Sequence, residues 1–92
     1  MAESNKIKGE VTEMHLDSDN PYLVVLIDED DLDNGGLYAN IYVPESILED
    51  VEYFVSEGHQ VIVWGKEKSS MYRKKILMTK MQDLTEDELI TQ

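Results

Sequence analysis

The chain predicts a mainly β domain: a five-stranded Greek-key barrel with one helix between its third and fourth strands. Short apolar runs with strand periodicity recur between clusters of turn residues, and one central stretch switches to helical spacing. With 92 residues, 41% of them hydrophobic, the chain can close one modest core and no second domain.

Residues 6–14 alternate Ile7, Gly9 and Val11 with Lys8, Glu10 and Thr12, which reads as a strand whose glycine permits a bulge or sharp bend. Asp17, Ser18, Asp19, Asn20 and Pro21 are turn chemistry. Residues 22–28 form a β-rich run, and the acidic segment 29–36 ends in the hairpin residues Asn34, Gly35 and Gly36. A third strand, 37–43, sets Leu37, Ala39, Ile41 and Val43 on one face against Tyr38, Asn40 and Tyr42 on the other.

Pro44 stops pairing, and Ser46 with Glu49 fits a capping box for a helix over 46–57. Ile47, Leu48, Val51, Phe54 and Val55 recur at helical spacing, and Gly58 supplies a left-handed stop. A fourth strand covers 60–64 and closes at Gly65. The loop 66–72 leads into a fifth strand over 73–81. Thr85 and Glu88 form a second capping box, so 85–92 is expected as a short terminal helix or a frayed tail, and 1–5 as a flexible N-terminus.

Five strands with the helix after the third is the plan of the OB-fold. Lys8-Gly9-Glu10-Val11, Val24-Val25-Leu26-Ile27-Asp28 and Gly58-His59-Gln60-Val61-Ile62-Val63-Trp64-Gly65 resemble the OB domains of single-stranded DNA-binding proteins, especially replication protein A and its archaeal relatives. The resemblance covers residues 6–84, and its loose motifs specify fold better than ligand.

Such barrels bind oligonucleotides across strands two and three, between the loops that join strands one to two and four to five. On that plan Tyr38, Tyr42 and Trp64 offer aromatic faces for bases. Lys66, Lys68, Arg73, Lys74 and Lys75, with Tyr72 among them, form the cationic four-five loop. The bland readings are tyrosines that merely cover the barrel, a tryptophan packed against the helix or a barrel end, and lysines that solubilise. The family's inward register for Val24, Leu26 and Asp28 implies that Leu23, Val25 and Ile27 point outward. Three aliphatics there look like a protein contact, and this sets up the rival expectation of a subunit held in a replication, repair or transcription complex.

The formal charge of -12 argues against a polyanionic ligand until it is divided by position. Residues 63–82 carry six basic side chains and one acid, a local +5 that leaves -17 elsewhere. Nucleic acid, DNA favoured over RNA, is therefore an admissible partner at a restricted patch. Zero cysteines fit a reducing, cytoplasmic setting and remove thiolate chemistry. The longest apolar run, 23–27, is far short of a bilayer span. His15 and His59 have no converging ligands at metal spacing, the acids of 28–33 lack EF-hand spacing, and no P-loop, nucleophile elbow or triad can be assembled. The expectation is a non-enzymatic binding module without catalytic residues, metal or cofactor.

Overall fold

A computed structural model describes residues 5–28, 38–68 and 74–92. The strands are β1 (Asn5–His15), β2 (Tyr22–Ile27), β3 (Tyr38–Tyr42), β4 (Gln60–Lys68), β5 (Lys74–Asp83) and β6 (Glu88–Thr91), with helix α1 (Glu45–Phe54) between β3 and β4. They form one sheet in the order β3-β2-β1-β4-β5-β6, and a parallel β3–β5 pairing closes the first five into a barrel. All other pairings are antiparallel.

Alternation fills the barrel. Ile7 and Val11 on β1, Ala39 and Ile41 on β3, Val61 and Val63 on β4, and Ile76, Met78 and Met81 on β5 are all buried inward. Two bulges bend it. On β1, Thr12 is the extra residue between the pairs Val11↔Val25 and Glu13↔Val24. On β5, Thr79 is extra between Trp64↔Lys80 and Gly65↔Met78. Each bulge threonine donates its hydroxyl to a carbonyl of the opposite strand, Thr12 to Val24 at 3.2 Å and Thr79 to Trp64 at 3.3 Å. Side-chain bonds thus stand in where the ladder is interrupted. Neither bulge residue is a glycine. Gly9 is needed for a different reason: a Cβ there would strike the Leu26 carbonyl, so the residue marks a close approach of β1 to β2.

Strand two corrects the expected outward set. Leu23, Val25 and Ile27 lie in the core, at 0, 0 and 4% exposure. Leu23 pairs with Ile41 and Val25 with Ala39, so β2 shares the inward parity of β3. Side chains have a period of two, and a one-residue change of register turns over the whole strand. The protein contact expected through Leu23, Val25 and Ile27 therefore has no surface, and Tyr22, Val24 and Leu26 take the outer side.

The helix boundaries also move. Pro44, with φ -63° and ψ 147°, is the N-cap and accepts the Ile47 N–H at 3.1 Å, so the helix opens before Ser46 can cap it. Ser46 makes no capping bond; Glu45 sits in the first turn, where the helix dipole favours an acid. Ser46→Ala is accordingly expected to change stability by less than about 0.5 kcal/mol in chemical denaturation, whereas a working cap would cost about 1 kcal/mol. The helix stops at Phe54 because Val55 turns extended and enters the core at 2% exposure. Gly58, at φ 93°, then reverses the chain, and Gly58 N–H donates to the Val11 carbonyl at 2.7 Å. With Ile47 and Val51 buried, α1 packs its inner side into the barrel core.

Residues 88–91 form a strand, not a terminal helix. The Thr85 hydroxyl accepts the Gln60 N–H at 3.0 Å instead of capping its own chain. Asp83 Oδ1 accepts the N–H groups of Thr85 and Glu86 at 2.9 and 3.0 Å, which folds 84–87 into a turn. Strand parity then places Ile90 in the core, 3% exposed, and Leu89 outside.

Candidate nucleic-acid interface

Register decides which side chains share the outer face. Tyr22 is paired with His15 across β1–β2 and with Tyr42 across β2–β3; Tyr42 is paired with Leu77 on β5, and Leu77 with Lys66 on β4. One row thus crosses five strands. Its first three members are in ring contact: His15 stacks on Tyr22 at 4.7 Å and 21°, and Tyr22 meets Tyr42 at 5.6 Å and 39°. The imidazole is held by Glu13, whose carboxylate lies 2.8 Å from His15 Nε2. A neighbouring row carries Val24, Asn40, Lys75 and Lys68.

These rows flank a groove of about 680 Å³ that is open to solvent. Tyr42, Leu77, Lys68 and Lys75 form its floor and one side. The β1–β2 connection, through Leu16 and Asp19, and the start of α1, through Glu45, form the other. The groove therefore has ammonium groups on its sheet side and carboxylates on its loop side. It can take an aromatic ring against Tyr42 and an anion against Lys68 and Lys75, with the opposite rim repelling a second anion.

Of the residues expected to bind, Tyr42, Lys66, Lys68 and Lys75 come together on this face. Tyr38 lies on the same side of β3, 39% exposed and four residues from Tyr42, about 13 Å along the strand. Tyr72 and Arg73 lie outside the described residues. Lys74 separates from the others: it has the inward parity of Ile76, is 7% exposed, and its ammonium is 3.7 Å from the Glu67 carboxylate. Its place in the cationic loop is corrected to one in the barrel wall.

Trp64 is outward on β4, but it faces β1 and the second half of β5. Lys80 Nζ sits 4.3 Å from the indole centroid and Lys6 Nζ 5.9 Å. It belongs to a different stretch of the barrel surface from Tyr42, because the Thr79 bulge separates the Trp64–Lys80 pair from the Lys66–Leu77 pair.

Tyr22 and His15 are the members that sequence reasoning missed. The run Tyr22–Ile27 is apolar throughout, so it shows no alternation from which its outer side could be read. The usable signal was coarse: in an antiparallel β2–β3 pair the start of β2, just after Pro21, lies beside the end of β3, where Tyr42 stands.

No protein-family model and no curated protein sequence matches the chain. Solved structures do match. A chain of the Stn1-Ten1 complex of S. pombe superposes with a TM-score of 0.66 at 17% identity, covering 89% of this chain and 58% of that one. This protein therefore spans little more than half of that neighbour. A small single-stranded DNA-binding protein from Streptomyces coelicolor gives 0.61 at 14% identity, over 90% of this chain and 93% of that one. The mitochondrial single-stranded DNA-binding protein Rim1 from S. cerevisiae gives 0.62 at 19% identity, over 91% and 95%. The closed five-stranded barrel, the helix between strands three and four and these superpositions agree: the chain has the OB-fold.

Proposed function

We propose that the protein is a non-enzymatic OB module that binds single-stranded nucleic acid, DNA in preference to RNA, across the outer face of β2, β3 and β5. One observation carries the reading: the His15–Tyr22–Tyr42 ring row leads directly into a groove edged by Lys68 and Lys75. Bases stack on the tyrosines and phosphates lie against the lysines, a combination that tolerates any sequence because every base has a π-face. The bacterial and mitochondrial neighbours are single-stranded DNA-binding proteins, which is the reason for favouring DNA.

Charge sets the strength. With a formal -12 overall and, among the described residues, Lys66, Lys68 and Lys75 placed for phosphates, binding is local, and the expected Kd is micromolar or weaker at physiological salt. Three phosphate contacts give a slope of log K on log salt of about -2, and Lys75→Ala should flatten it by about 0.7. Anisotropy titration of labelled oligo-dT, oligo-U and duplex at several salt concentrations measures both quantities. No binding of any single strand at low salt, or equal binding of duplex, would sink the proposal. Trp64 lies off the groove, so a labelled oligonucleotide is a better reporter than tryptophan quenching.

A further inference from the structure

The outer face of β1, β4, β5 and β6 is built differently from the groove. Lys6, Trp64, Lys80 and Thr91 form one cross-strand row, and Lys8, Ile62, Gln82 and Leu89 form the next. Paired residues share a side of the sheet, so all eight point outward together. Leu89 is 59% exposed, Lys6 and Lys8 are exposed, and Trp64, Ile62 and Lys80 are half-buried. Trp64 and Ile62 are apolar neighbours on β4, Leu89 stands beyond Gln82 on β6, and Lys6, Lys8 and Lys80 lie in the same two rows. Neither row contains a carboxylate, in a chain with twenty of them.

We propose that this face docks an acidic, partly apolar segment of a partner protein. Charge complementarity selects the partner: Lys6 and Lys80, in two rows that carry no carboxylate, attract carboxylates and repel cations. The apolar residues select side chains over bases. Ile62 and Leu89 offer no stacking plane, and Lys80 already stands over the indole at 4.3 Å. A large apolar side chain can instead settle between Trp64 and Leu89 while carboxylates take the lysines. A symmetric contact between two copies is disfavoured, because it would set one lysine-bearing patch against another with no carboxylate in either row to offset them. The face borders the proposed groove but shares no lining residue with it. Lys66 and Leu77 belong to the groove row, whereas Trp64 and Lys80 lie beyond the Thr79 bulge.

The test is amide chemical-shift mapping of the intact protein with three probes. One is a synthetic peptide of about 15 residues alternating Glu or Asp with Leu and Phe; the second has the same apolar residues with Lys for every acid; the third is oligo-dT. The expected result is saturable shifts at Lys6, Lys8, Ile62, Trp64, Lys80 and Leu89 with the acidic peptide, none with the basic one, and a loss of about tenfold in affinity in the Lys6→Glu/Lys80→Glu variant. Both substitutions are at solvent-facing positions, and circular dichroism verifies that the variant is folded. No saturable shift up to about 1 mM acidic peptide, or an unchanged affinity in the folded variant, overturns the proposal. So does oligo-dT displacing the peptide from Trp64, which would make the face a nucleic-acid surface. If oligo-dT binds nowhere while the peptide maps to Trp64, the docking face stands and the nucleic-acid reading of the groove fails.

Discussion

Tyr42→Ala is expected to weaken oligo-dT binding by roughly tenfold, within limits of about 5- and 150-fold set by about 1–3 kcal/mol for one stacked base. Tyr42 is the aromatic ring that lines the groove beside Lys68 and Lys75, so its removal takes away the stacking surface nearest the cations. Tyr42→Phe keeps that surface and should bind within about twofold of the parent. Tyr22→Ala should cost less, because one face of that ring is already stacked by His15. The substitution also breaks the Tyr22–Tyr42 contact, worth about 1 kcal/mol, so the melting temperature of a domain this size should fall by roughly 4–8 °C. Anisotropy titration well below the melting temperature separates the two effects. An unchanged Kd for a folded Tyr42→Ala protein would remove the ring row from the binding mechanism.

The strand that carries Tyr42 was legible because its polarity alternates: Ala39, Ile41 and Val43 are buried, as their spacing requires. Neighbouring β2 was not. Leu23, Val24 and Val25 are all buried, the odd-numbered pair by the core and Val24, on the outer side, at 2% exposure beside the Thr12 bulge. A strand covered on both sides gives no period, and only the pairing partner shows which way it faces. Ten residues separate β2 from β3, more than a two-residue hairpin loop, so chain length alone does not set that register.

The fourth strand misled in another way. Trp64 alternates against Val61 and Val63, and with Lys66 and Lys68 it stays on the outer side of β4, so alternation alone groups the tryptophan with the groove lysines. Pairing decides its surroundings: Trp64 stands between Lys6 on β1 and Lys80 on β5. Lys74 was misread for a related reason. A basic cluster in sequence looks like one surface, yet consecutive strand residues point to opposite sides, and Lys74 and Lys75 part at the first residue of β5. The charge division into +5 and -17 survives as arithmetic on the chain. In space Lys66, Lys68 and Lys75 edge the groove, Lys6 and Lys80 stand by Trp64, and Lys74 lies in the barrel wall.

The largest stability effect is expected from Asp83→Ala. Asp83 is wholly buried, and its carboxylate accepts three hydrogen bonds: from the N–H groups of Thr85 and Glu86 and, at 2.7 Å, from Nδ1 of His59. A carboxylate can only accept, and with Asp83 in that form the Nδ1–H tautomer of His59 supplies the third hydrogen. Alanine removes every acceptor at once from part-buried donors, at about 1 kcal/mol each, for a total of about 3 kcal/mol. Against the 5–15 kcal/mol typical of domains that is a large fraction, and the melting temperature should drop by roughly 12–24 °C. Asp83→Asn should cost less, because its carbonyl still accepts both backbone N–H groups while His59 can change tautomer to accept from the new amide. The turn that Asp83 organises delivers β6, so hydrogen exchange in Asp83→Ala should accelerate first at 88–91, where Ile90 closes the core. Oligo-dT affinity measured on the folded fraction should hold, since neither Asp83 nor His59 lines the groove. If Asp83→Ala melts within about 4 °C of the parent, the carboxylate is not what ties the C-terminal strand to the barrel.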